Sequence, residues 1–154
     1  MKQTTVFATL TLVHKAMLTG QVIFTAIIFY LVYSKTMLPV LASQEKTLQG
    51  IALLSAVIAL FAGTKLFKKK LELIKEDIVA GAKEKLVKYR SASLLQWGLV
   101  ELPCLVCGVC LLLTGNYAFL ALAIVIILYF AILMPVKNKI ADQLNLSSAE
   151  LDEL

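Results

Sequence analysis

The sequence predicts an all-α membrane protein, a four-helix transmembrane bundle made of two helical hairpins in tandem. Of its 154 residues, 60% are hydrophobic and only 16% are charged, which is too little polar surface to cover a soluble domain of this length. The apolar residues form continuous runs of about 20, the length at which a helix crosses a bilayer. A membrane β-barrel would instead show short alternating segments. We therefore expect one integral membrane domain over residues 1–154.

Four apolar segments have the length of membrane spans. They cover about residues 16–33, 48–66, 92–113 and 117–134. Pro135 is expected to end the fourth, because proline cannot continue a helix. Only the uncharged residues 114–116 separate the third and fourth spans, so these two are expected to form an antiparallel hairpin.

Positive charge is concentrated on one side of this arrangement. The net charge is +5, and nine of the fifteen Lys and Arg residues lie between residues 65 and 90. Lys15, Lys137 and Lys139 flank the first and fourth spans on the same side. The positive-inside rule makes that side cytoplasmic, with both termini inside and a bacterial inner membrane as the expected location. The same rule explains the basic cluster, so we do not expect a nucleic-acid partner.

The basic segment 65–90 has an amphipathic pattern, because apolar residues recur in it at intervals of three and four. The pattern predicts a cytoplasmic helix that continues the second span and breaks near Gly81. This helix either lies on lipid headgroups or its own return segment, or it docks a partner protein. The candidate docking residues are Phe67, Leu71, Ile74 and Ile78. Near the end of the chain, Ser147 and Glu150 have the spacing of a capping box and predict a short terminal helix.

Small residues at helical spacing predict close helix packing within the membrane. The candidate packing residues are Gly20, Gln21, Ser55, Ala59, Gly63, Cys104 and Gly108. Cys104, Cys107 and Cys110 step about 60° around the helix per interval and have no nearby His or Asp. We therefore expect packing residues there and neither a metal site nor a cofactor. His14 is expected at the membrane surface, and Trp97 in the aromatic belt near a span end.

Glu101 is the residue with the clearest functional potential, because it is a carboxylate about nine residues into the third span. Such a residue is costly in hydrocarbon and usually faces the bundle interior. We expect it to hydrogen-bond to Gln21, Thr19 or Thr25 of the first span and to fix the register of the bundle. Two other interpretations stay open: reversible binding of a proton or sodium ion, and contact with the helix of an external partner.

The segment SLLQWGLVELPCLVCGVCLLLTGN, residues 93–116, resembles the ion-carrying helix of rotary-ATPase proteolipids. In that family a glutamate near mid-span precedes an apolar run with a glycine and then a short turn. The resemblance implies a tandem-hairpin fold and Glu101 as the ion-binding residue. The chain is also similar to small four-span bacterial membrane proteins, which implies a location and no activity.

Small four-helix membrane enzymes of the eicosanoid and glutathione type have a similar length. Their Arg-Asn-Glu set is not visible in this sequence, because Arg90 and Glu101 are about 16 Å apart along a helix. We therefore predict that the chain is not an enzyme, and no small-molecule substrate is identified. The expected partners are the lipid bilayer and a larger membrane protein complex, in which the chain would be a non-catalytic subunit. The alternative function is translocation of protons or sodium ions through Glu101.

Overall fold

The computed structural model describes residues 6–77 and 80–146. This part of the chain is 86% helix, with five helices and no strand. The helices are α1 (Val6–Tyr33), α2 (Glu45–Glu76), α3 (Ala82–Thr114), α4 (Ala118–Ile132) and α5 (Lys137–Leu144), and a 3-10 turn at Ala42–Gln44 precedes α2. Helices α1, α2 and α3 are long and apolar enough to cross a membrane; α4 and α5 make a fourth candidate span only when the bent pair is taken as one. The all-helical fold class is therefore confirmed, and three to four of its helices are candidate membrane spans by length and composition.

Helix α3 is the centre of the fold, because α1, α2 and α4 all pack against it. In the most apolar 18-residue stretch of α3, half of the stretch is buried inside the structure. The corresponding stretches of α1 and α2 are only 17% buried. His14 of α1 lies beside Trp97, and Phe24 of α1 lies beside Gly108. Residue numbers along α1 and α3 therefore rise in the same direction, which means that the two helices run parallel.

Helix α1 begins ten residues before the start of the predicted first span, so the helix is longer than the apolar run that marks the span. The added turns are held by packing, since Leu10 has no exposed surface. The Lys137 ammonium also lies 5.7 Å from the centre of the Phe7 ring. Hydropathy alone placed the start after Lys15, whose side chain is exposed in the structure.

Helix α2 continues past the membrane segment to Glu76, as the amphipathic pattern predicts, and α3 begins at Ala82 after Gly81. The two helices form a hairpin whose turn is held by Asp77. One carboxylate oxygen of Asp77 accepts the Ala80 backbone N–H at 3.2 Å, and the other accepts the Lys88 ammonium at 2.6 Å. The predicted helical extension and its break are thus both present.

The apolar face of this extension packs against the first turns of α3. Ile74 is 5% exposed and Leu86 is 2% exposed, and the rings of Phe67 and Tyr89 meet edge-to-face at 5.6 Å. Leu71 is half-buried against the same core. The face offered as a docking surface therefore lies on the chain's own return segment, which was the alternative interpretation. Ile78 lies outside the described residues, as do Ser147 and Glu150.

The turn from α3 to α4 is as short as predicted. Gly115 has a φ of 68°, the left-handed conformation that glycine adopts without strain. The Asn116 carboxamide oxygen accepts the N–H of Ala118, the first residue of α4, at 2.9 Å, and its amide group donates to Glu45 at 3.1 Å. The turn thus sets an antiparallel hairpin and ties it to the start of α2.

Helix α4 ends at Ile132, three residues before Pro135. Its 15 residues extend about 22 Å, less than the roughly 30 Å of a hydrocarbon core. The chain then bends by 71° into α5, a bend that the hydropathy pattern does not predict. Ile140 and Leu144 of α5 are fully buried, so this short amphipathic helix closes the end of the bundle at which the basic segment lies.

Candidate functional site

Glu101 lies on α3 at the edge that faces α1. One turn further along, the Cys104 thiol lies against the Thr25 hydroxyl, and at the next turn Phe24 covers Gly108. The Glu101 side chain itself is half-buried. Among residues 6–77 and 80–146 it has no hydrogen-bond or ion-pair partner. It therefore sits at the margin of the α1–α3 contact.

The predicted hydrogen bond from Glu101 to α1 is wrong. Thr19 is exposed. Neither the amide atoms of the buried Gln21 nor the Thr25 hydroxyl has a hydrogen-bond partner within the described part of the chain. The spacing along α1 predicts a polar position near Glu101, but it does not fix the rotation of that helix. The structure turns Gln21 inward and leaves the carboxylate at the open margin.

A row of polar side chains runs along the face of α1 that is turned into the bundle. Four of its members have a buried polar atom without a hydrogen-bond partner in the described residues: the Thr11 hydroxyl, the Nδ1 atom of His14, the Gln21 amide and the Thr25 hydroxyl. Each such group costs roughly 1–3 kcal/mol when it is buried without a hydrogen bond. The inward face of α1 therefore contains buried polar groups that do not contribute to helix packing through hydrogen bonds within the described residues.

His14 is the best-anchored member of that row. It is 1% exposed, and its Nε2–H donates to the Phe130 carbonyl at 3.0 Å. Its ring stacks on the Phe130 ring at 4.7 Å and meets the Trp97 ring edge-on at 4.8 Å. Since a carbonyl can only accept, Nε2 carries the proton in this arrangement.

His14 and Trp97, which the sequence predicts near the membrane surface and near a span end, are both buried inside the bundle. The reason is the longer α1, which places His14 well inside a helix instead of at its start. A signal was present in the sequence: Leu10, His14, Gln21 and Thr25 recur at intervals of four and seven, the spacing of one helix face. All four are buried in the structure.

The predicted packing positions fall into two groups. Gly108 and Gly63 lie where helices approach closely: a Cβ at position 63 would meet the Leu99 Cβ at 3.5 Å, and one at position 108 would collide with the Phe24 ring. Gly20 is exposed, and a Cβ there would meet nothing within 4 Å. Ser55 and Ala59 are half-buried, and the Ser55 hydroxyl donates to its own helix at 2.8 Å.

All three cysteines are buried as free thiols. They can fan around α3 and still be buried because other helices cover α3 on several sides. In the part of the chain that the structure describes, no cluster of three or more His, Cys, Asp or Glu side chains could hold a metal ion.

Comparisons with known proteins supply no family for this chain. It matches no family model, no curated protein and no solved structure, so any statement of its function has to be argued from the residues themselves.

Proposed function

We propose that this chain is a small non-catalytic subunit of a larger membrane complex, and that the Glu101 side of α3 contacts its partner. The observation that carries the proposal is the position of Glu101, which is half-buried and has no partner in the described residues. Its neighbours Leu102 and Val109 are 57% and 48% exposed. This stretch of α3 thus combines one carboxylate with apolar side chains that the chain's own helices leave open.

The cost of the carboxylate supports a partner helix. An acidic side chain at the centre of a span costs about 2.5–3.5 kcal/mol on insertion-based scales. A hydrogen bond from a neighbouring helix returns about 0.6–2 kcal/mol in a membrane. Helix α1 provides no hydrogen bond to Glu101, so a hydrogen-bond donor on a second subunit would offset a substantial part of the cost of placing this carboxylate in the membrane.

We further propose a four-span arrangement in the bacterial inner membrane with both termini inside. The ends of α2 and α4, the start of α3 and the whole of α5 lie at one end of the bundle, together with the basic segment and Lys139. On the positive-inside rule this end is cytoplasmic. In a variant without the native cysteines, Lys75→Cys should react with a membrane-impermeant thiol reagent only from the cytoplasmic side. Ser43→Cys should react only from outside, and the reverse pattern would contradict the orientation.

The partner contact is testable by photo-crosslinking in intact membranes. A photoreactive residue at Leu102 should give a protein adduct that co-purifies in mild detergent. The matched control is Val125 of α4, which is 61% exposed against 57% for Leu102. The adduct should survive Glu101→Gln, which keeps the hydrogen-bonding shape, and weaken with Glu101→Leu. Equal adducts from positions 102 and 125, or lipid adducts alone, would contradict the proposal.

The second candidate function is transport of protons or sodium ions. It is favoured by the same half-open position, because an ion-carrying carboxylate must be reachable from outside its own helix bundle. Carbodiimide labelling separates the two candidates. Rapid modification of Glu101 at neutral pH, with competitive protection by sodium or protons, would support transport, as would purification of a homogeneous ring. A hetero-complex with slow, unprotected labelling would support the accessory subunit.

A further inference from the structure

A polar cavity of about 170 Å³ lies at the basic end of the bundle, where α2, α3, α4 and α5 meet. It lies nearer the start of α3 than Glu101 does: Trp97 in its wall is about one turn from Glu101, and Tyr89 is about three turns from it. The side chains that bring polar groups to its wall include Tyr89, Ser93, Gln96, Tyr129, Lys139 and Gln143. The cavity therefore differs in character from the apolar contacts that hold the rest of the bundle together.

Two hydrogen bonds fix the shape of this wall. The Tyr89 hydroxyl donates to the Gln143 carboxamide oxygen at 2.9 Å, which joins α5 to α3. The Tyr129 and Thr64 hydroxyls lie 3.0 Å apart, which joins α4 to α2. Because these bonds occupy only part of each group's capacity, the carboxamide N–H groups of Gln143 stay available to a ligand.

Gln96 is the residue that most directly indicates a ligand. Its side chain is 6% exposed and lines the cavity, yet its amide has no hydrogen-bond partner in the described part of the chain. In the cavity it presents two N–H donors and one carbonyl acceptor to whatever enters.

The charge of the wall selects the kind of ligand. Lys139 is a cation, and no carboxylate lines the cavity among the described residues. The ligand should therefore carry a negative charge for Lys139 and hydroxyl groups that pair with Gln96 and Ser93. A water molecule occupies about 30 Å³ of liquid, so 170 Å³ holds about six waters or a polar group of about ten heavy atoms.

We propose that this cavity binds a phosphate ester of a small polyol, with the phosphate at Lys139 and the hydroxyls at Gln96 and Ser93. Glycerol phosphate has this chemistry and size, either as a free anion or as the headgroup of an anionic phospholipid. The site does not depend on Glu101 or on any partner subunit, so it can be tested separately from the proposed function.

Trp97 provides a direct readout, because it is the chain's only tryptophan and lies in the cavity wall. The full-length protein in mild detergent should be titrated with glycerol 3-phosphate, and separately with phosphatidylglycerol in mixed micelles. Phosphatidylcholine is the matched control lipid. We expect a saturable change in Trp97 emission with at least one of the two probes. A response to the free ester alone assigns a soluble ligand, and a response to phosphatidylglycerol alone assigns a lipid headgroup.

Three variants make the test specific to this cavity. Lys139→Gln should weaken binding about tenfold, the expected effect of losing a charged hydrogen bond, and Gln96→Leu should weaken it similarly. Lys137→Gln is the matched control, because Lys137 lies on the same helix but contacts the Phe7 ring. Lys139 is exposed, so its replacement leaves the fold intact even if Gln96→Leu does not. Equal effects at positions 137 and 139, an equal response to phosphatidylcholine, or no saturable response would overturn the proposal.

Discussion

The contact between Gly108 and Phe24 allows a prediction in which the change is a single methyl group. The edge of the Phe24 ring occupies the space in which a Cβ at position 108 would stand. Gly108→Ala therefore forces the ring to turn away and loosens the α1–α3 contact. Added methyl groups in packed interiors cost about 1–3 kcal/mol. Alanine in a helix gains about 0.8–1.0 kcal/mol over glycine, so the net loss should be about 0–2 kcal/mol.

Gly98→Ala is the matched control, because Gly98 lies on the same helix and a Cβ there would meet nothing within 4 Å. That variant should keep the whole helical gain. The helix term is common to both substitutions, so the difference between the two variants measures the collision alone. We expect Gly108→Ala to be less stable than Gly98→Ala by about 1–3 kcal/mol.

The assay is reversible unfolding in mixed micelles of a mild detergent and sodium dodecyl sulfate, followed by helical circular dichroism. Combining Gly108→Ala with Phe24→Leu should recover part of the loss, because the smaller side chain leaves room for the methyl group. A double-mutant cycle would report that coupling. Equal stability of the two alanine variants, or no coupling to Phe24, would refute the packing of α1 on α3 described above.

Three other substitutions probe the remaining contacts, each followed by the same unfolding measurement. His14→Ala should lower the free energy of unfolding by about 2–4 kcal/mol, since it removes a buried ring and its hydrogen bond. His14→Phe keeps a ring and should cost less. Equal losses in the two variants would show that the ring contributes nothing. Tyr129→Phe should cost about 0.5–1.5 kcal/mol through loss of the Thr64 bond, and should cost nothing in a Thr64→Val background. Asn116→Ala should cost about 1 kcal/mol by removing the hydrogen bonds to the Ala118 N–H and to Glu45. Asn116→Asp should keep the bond to Ala118 but repel Glu45, which predicts an intermediate loss that disappears with Glu45→Gln.

The features that the sequence predicts well are local ones. The helical class follows from the continuous apolar runs, and the turn at 114–116 follows from Gly115 and Asn116, whose conformations depend on their immediate neighbours. The extension of α2 follows from the spacing of Phe67 and Ile74. In each case a residue and the few positions around it contain the physical reason.

The features that it predicts poorly depend on how the helices are rotated and bent. The start of α1, the burial of His14 and the fold of α5 against the bundle all require knowledge of which face meets which neighbour. Hydropathy does not identify these faces, because in lipid an apolar side chain has about the same solvation free energy inside the bundle as outside it. Polar positions such as Gln21 carry the better signal for the inner face of α1.

The central place of α3 has a consequence for the order in which the structure forms during synthesis. Helices α1 and α2 make no extensive contact with each other within the described residues, so neither has a protein surface to pack on until α3 enters the bilayer. For that interval the first half of the chain is two separate helices in lipid. A chain stopped within the α2–α3 turn should therefore insert both helices and still be degraded rapidly, and resistance to proteolysis should arise only once residues up to about 114 have been made.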